Sequence, residues 1–139
     1  MTLELLAMAI AVATLDQGSK AIVTARLAEG QSSFGRLGVG VRHSLNRRPY
    51  GASGRAGVAV SWVVTVLGAL VLASMVPAFQ GHGAQISFGA ALGGATGNAF
   101  DRLARQGVVD FIDLRVWPVF NVADAGIVAG VIGILWSLV

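Results

Sequence analysis

The sequence predicts an all-α membrane protein, a four-transmembrane-helix bundle with a small strand-containing extramembrane loop after the first helix. Three observations carry that expectation. Of the 139 residues, 55% are hydrophobic and only 12% charged, with a mean hydropathy of +0.72, too apolar for an ordinary soluble domain. A spanning helix takes about 20 apolar residues, so the length holds one polytopic membrane domain, residues 1–139, and no second module. The apolar runs are separated by short segments in which charge, Gly and Ser collect.

The first run starts at Leu3, is almost wholly apolar to Leu15 and continues through Asp16 and Lys20 to Val23. No cationic segment precedes it, so it reads as a retained span over about 3–23 and not as a cleaved leader. From Thr24 to Arg55 the composition turns to Gly, Ser and Arg. The alternation from Gly38 to Val41 suggests short strands, and Asn46 to Gly54 is rich in turn formers. Residues 56–79 form the cleanest span, rich in Val and Leu, and Gln80 to Gln85 reads as a connector. In the third span, about 86–100, Gly89, Gly93, Gly94 and Gly97 stand among alanines and let neighbouring helices approach closely, so it belongs inside the bundle. Asp101 to Trp117 concentrates charge, and 118–139 makes the last span. Trp62, Trp117 and Trp136 suit interfacial belts.

Composition removes several chemistries. The chain has no cysteine, which excludes disulfides, a thiolate nucleophile and cysteine-ligated metal. His43 and His82 are expected in separate loops without metal-binding spacing, and no nucleophile elbow for a serine hydrolase is present. No metal or other cofactor is therefore expected. The formal charge of +3 is spread over loops beside apolar runs, which points to anionic membrane lipids and not to nucleic acid.

Charge within a span is expensive and by default functional. Asp124 lies in FNVADAGIVAGVIGILW, with Asn121 three residues earlier on the same helical face. Asp110 lies in VVDFID, in apolar surroundings at the membrane boundary. Two carboxylates in a partly desolvated pocket cannot both ionise cheaply, so one keeps a proton while the other acts as base on water. Asp16 and Lys20, one helical turn apart, read as a neutralising pair. Asp101 reads as a helix-end contact, and Asp113 as a solvated or arginine-paired carboxylate.

The stretches GGATGNAFDRLARQGVVDFIDL and WPVFNVADAGIVAG, in this order and spacing, together with LDQGSK in the first span, resemble the signature blocks of the lipoprotein signal peptidase (signal peptidase II) family. The resemblance implies an aspartyl endopeptidase that cuts diacylglyceryl-modified prolipoproteins before the lipidated cysteine. By position it makes Asp110 and Asp124 the catalytic dyad and Asn98, Arg102, Asn121 and Asn46 substrate-binding residues lining the site, with Asp16 and Lys20 in a structural or supporting role. After Asn46, Arg47, Arg48 and Pro49 depart from the family pattern, which bears on specificity. The resemblance also implies a multi-pass protein of the bacterial cytoplasmic (inner) membrane with the site toward the outer face. The positive-inside rule would instead turn the basic loops to the cytoplasm. Lipidated prolipoprotein and membrane lipids are the expected partners, with room for a further protein partner. A second reading is a specialised or noncatalytic paralogue serving as a membrane scaffold or lipid-peptide-binding subunit, and a third is a small proton-coupled transporter.

Overall fold

The computed structural model describes residues 2–35, 39–47 and 54–139. Gly38, Arg48, Pro49 and most of the expected turn segment fall outside the described residues. In chain order the elements are α1 (Leu3–Arg26), β1 (Ser32–Phe34), β2 (Gly40–Asn46), α2 (Gly54–Met75), a 3-10 turn (Pro77–Phe79), α3 (His82–Arg105), β3 (Val108–Asp113) and α4 (Val122–Trp136).

The helix ends differ from the expected spans for local reasons. Pro77 cannot continue α2, because it lacks an N–H and clashes with the preceding turn, so 77–79 becomes a separate 3-10 turn. The expected connector up to Gln85 is already the first turn of α3, and Gln85 is buried. Gln106 ends α3 in the left-handed conformation (φ 58°), which turns the chain sharply into β3. Pro118 to Phe120 lie before α4 and not in it, with Phe120 bridged to Ile112. His43 sits in β2 and His82 opens α3, so neither histidine is in a loop.

At the centre, α3 packs against α1, α2 and α4. Its glycines make this possible. A Cβ at Gly89 or Gly93 would meet the backbone of α1 at Leu5 or Ala9, and one at Gly94 would meet the Ala123 carbonyl of α4. The small-residue run is therefore the contact surface, as its composition requires. By contrast α2 is apolar on every side, and Val60, Val64, Leu67 and Val71 are exposed. Both α1 and α2 are long and apolar enough to cross a membrane, while α4 is apolar but shorter. Such an outward apolar surface suits lipid and not water.

The strand-containing loop after α1 exists, but its sheet has a third member from outside the loop. The strands are antiparallel in the order β1-β2-β3, so β3, immediately before α4, completes a sheet begun some 70 residues earlier. The register pairs Ser44 with Asp110 and Asn46 with Val108, with an irregularity between Val41 and Ser44. Asn46 and Asp110 are thus diagonal neighbours on one face, close enough for their side chains to meet.

Candidate active site

Two elements bring the expected carboxylates together. β3 presents Asp110, which is 6% exposed. α4 begins at Asn121, whose side chain caps the helix: Asn121 Oδ1 accepts from the Asp124 backbone N–H at 2.9 Å, and Asp124 Oδ2 accepts from the Asn121 N–H at 3.2 Å. This is a reciprocal capping box. The sequence NVAD therefore fixes the Asp124 carboxylate at the first turn of α4 by purely local bonding.

Asn121 has a second function in the geometry. Because a backbone N–H can only donate, Asn121 Oδ1 must face Asp124, and its Nδ2 must face the other way. There it donates to Asp110 Oδ1 at 2.8 Å. Asn46 Nδ2 donates to the other oxygen of Asp110 at 3.2 Å, and Asn98 Nδ2, from α3, donates to Asp124 Oδ1 at 2.8 Å. Among the described residues each of the four carboxylate oxygens thus accepts an N–H. Burial pushes the Asp110 carboxyl above its ordinary value, and the nearby charge of Asp124 adds to this, against the opposing bonds from Asn46 and Asn121.

Asp110 and Asp124 line one cavity of about 670 Å³ together with Asn46, Asn98, Arg102, Trp117 and Phe120. Arg102 is exposed toward it from the last turns of α3. Asn121, expected among the lining residues, is fully buried and does not line the cavity. It lies beneath, joined to both carboxylates.

Behind the cavity is a buried ionic cluster. Lys20 Nζ donates to Asp16 Oδ2 at 2.7 Å, so the expected pair within α1 is present. It also meets Asp101 Oδ2 of α3 at 2.8 Å, and all three residues are fully buried. Asp101 is therefore no helix-end contact. It accepts further bonds from Gln17 Nε2 and the Val109 N–H and pairs with Arg105. Asp16 Oδ1 in turn accepts the Ala123 N–H at 2.9 Å, tying α1 to the start of α4. Asp113 is buried and not solvated, and its Oδ1 accepts the Arg115 N–H. The sequence signal for Asp101 was its position three residues after Asn98 and four before Arg105, on the buried side of α3. Gln17 and the backbone of Val109 and Ala123 gave no such signal, since their role depends on tertiary packing. Trp62 Nε1 donates to Thr96 Oγ1 at 3.2 Å, linking α2 to α3. Among the described residues no cluster of His, Asp or Glu has the makings of a metal site.

A family model described as signal peptidase (SPase) II matches residues 8–139. The lipoprotein signal peptidase of Staphylococcus carnosus is 34% identical over 136 residues, covering 93% of this chain and 86% of that protein. That of Moorella thermoacetica is 57% identical over 54 residues, 39% of this chain and 36% of the relative. That of Methylobacterium sp. is 46% identical over 82 residues, 53% and 50%. In these two shorter alignments the chain spans about a third to a half of the relative's length. Two solved bacterial membrane enzyme structures superpose with TM-scores of 0.83 and 0.85 at 23% and 25% identity, covering 96% and 97% of this chain and 86% and 92% of theirs. These membrane neighbours and the outward apolar helices make this a membrane protein, and the match across 8–139 places it plainly: the chain belongs to the signal peptidase II family.

Proposed function

We propose that this protein is an intramembrane aspartyl endopeptidase that removes signal peptides from diacylglyceryl-modified prolipoproteins, cutting before the lipidated cysteine. One observation carries the reading beyond family membership: Asp110 and Asp124 line the same cavity with one N–H donor on every carboxylate oxygen. One proton is shared between the two. Asp110, the more buried, holds it and donates a hydrogen bond to the scissile carbonyl, while Asp124 takes a proton from the attacking water. Water oxygen bonds to the carbonyl carbon as the Asp110 proton passes to the carbonyl oxygen, giving a tetrahedral diol. The proton gained by Asp124 then passes to the leaving nitrogen, the C–N bond breaks, a diol hydroxyl returns its proton to Asp110 as the C=O re-forms, and a carboxyl and an amine result.

In this reading Arg102, Asn98 and Asn46 face the substrate backbone from the cavity wall, amides and a fixed guanidinium fork being suited to peptide groups. Asn121 holds the dyad together from beneath. The four helices are the spans of a single domain, with α3 at the centre and α1, α2 and α4 packed around it. The site faces outward from the bacterial cytoplasmic membrane, where a lipidated precursor reaches it along the bilayer. The test is incubation of the purified protein in detergent with a diacylglyceryl-modified prolipoprotein, followed by mass analysis of the products. A cut immediately before the lipidated cysteine is expected, and an intact substrate, or a cut elsewhere, contradicts the reading. Orientation has its own test, because the chain lacks cysteine. Val116→Cys, at a position that is 91% exposed, should react with a membrane-impermeant maleimide on intact spheroplasts. Labelling only after permeabilisation would place the site on the cytoplasmic side.

A further inference from the structure

The hydrogen-bonding direction of Asn98 is set from outside the cavity. Lys20 Nζ has three hydrogens and three acceptors: Asp16 Oδ2 at 2.7 Å, Asp101 Oδ2 at 2.8 Å and Asn98 Oδ1 at 3.2 Å. An ammonium has no acceptor, so the atom of Asn98 that faces it must be oxygen. The amide nitrogen is then turned toward Asp124 Oδ1. A flipped Asn98 would aim N–H groups at the ammonium and its oxygen at a carboxylate, unfavourable at both ends.

Asn121 alone does not hold this orientation. Its Nδ2 also reaches Asn98 Oδ1, at 3.2 Å, but it has two hydrogens for three acceptors, the others being Asp110 Oδ1 at 2.8 Å and the Val109 carbonyl at 3.3 Å. Without Lys20 those two suffice, and Asn98 is released to turn. We propose that Lys20 is a positioning residue for Asp124, acting through the amide of Asn98. The ionic cluster does more than neutralise charge within the bundle: it assigns donor and acceptor ends to the asparagine that feeds the dyad, much as the Asp124 backbone N–H does for Asn121. The catalytic part of this inference rests on the peptidase reading above.

The test separates positioning from folding. Lys20→Met alone strands the buried Asp16 carboxylate and is expected to lower stability sharply. Adding Asp16→Asn removes that charge and keeps an oxygen for the Ala123 N–H, while Asp101 retains Arg105, Gln17 and Val109. The double variant K20M/D16N should recover the parental melting temperature in detergent. Its kcat should stay about 10- to 100-fold low, the range found when the partner orienting an active group is lost, with KM little changed. A kcat that returns together with stability would overturn the proposal.

A second readout needs no turnover. In protein labelled with 15N-asparagine, the side-chain amide signal of Asn98, assigned by its loss in Asn98→Ala, should move on Asp124→Asn in the parent but not in the K20M/D16N background. An equal response in both backgrounds contradicts the inference. If the parent cleaves no lipidated substrate, the peptidase reading falls while this amide signal still decides whether Lys20 orients Asn98.

Discussion

The two ends of the bundle are held together in different ways. At the end that carries the cavity, Asp16, Lys20, Asp101 and Asn121 are fully buried and joined to one another and to Asn98 by directed bonds. At the far end, Leu5, Ala73, Phe79, Ala84, Phe88 and Leu92 form an apolar cluster, with Phe79 and Phe88 edge to face at 5.3 Å. Among the described residues one buried polar side chain stands there, Gln85, which donates to the Ala73 and Phe79 carbonyls that the break after α2 leaves open. Polar burial at the far end repairs a helix terminus. At the cavity end it exceeds any such need, and through Asn98 and Asn121 it reaches the two carboxylates. Packing tolerates small shifts, whereas a network of donors and acceptors has one arrangement that satisfies every member, and in this chain that arrangement is the one that lines up Asp110 and Asp124.

Substitutions should divide along the same line. The largest loss of stability is expected from Lys20→Met, about 3–5 kcal/mol, because it leaves the buried Asp16 carboxylate without its cation. Thermal unfolding in detergent measures it, and a melting point near the parent's would show that the cluster is dispensable. Gln85→Leu at the far end should cost about 1–3 kcal/mol through the two carbonyls it strands, with the cleavage rate per folded molecule unchanged. A fall in that rate would mean that the two ends are coupled and the contrast is false. Asn121→Ala removes a helix cap worth about 1 kcal/mol and the amide donor that holds Asp110 Oδ1, so its loss of cleavage should far exceed its loss of stability. The smallest effect is on pH dependence. The folded Asp110 binds its proton more tightly than an unfolded carboxyl with its ordinary value of 3.8. Its contribution to stability is therefore present at low pH and declines as pH rises from the ordinary value through the raised one. Asp110→Asn should remove that decline from a plot of stability against pH. A raised proton affinity also sets a basic limit on cleavage, which should move to lower pH in any variant that lets water reach Asp110.

Much of this was legible in the chain because it is written locally. The apolar runs, the small-residue face around Gly93 and Gly94, the Asp16–Lys20 spacing and the Asn121–Asp124 spacing are each a property of a few neighbouring residues, and each became a helix, a contact surface, a salt bridge or a cap. What was not legible depends on residues far apart. VVDFID has the β-branched and aromatic character of a strand, yet its partner is β2, across α2 and α3, and no run of neighbouring residues announces that pairing. The buried pairing of Asp101 is hidden for the same reason: its partner Lys20 lies on α1, and no local pattern joins them. The family resemblance implies that Asn121 lines the site. Its capping geometry instead buries the side chain, whose Nδ2 donates to Asp110 Oδ1 while the Asn121 backbone N–H donates to Asp124 Oδ2.

The most direct test of the central claim is a gel-shift cleavage assay on one diacylglyceryl-modified prolipoprotein, run with the parent protein, Asp110→Asn and Asp124→Asn at matched folded concentration. The account predicts a shifted product with the parent and, for each variant, loss of activity on the order of 10³-fold or more, as expected when a member of a catalytic unit is removed. Substantial cleavage by either variant would contradict the assignment of Asp110 and Asp124 as the dyad.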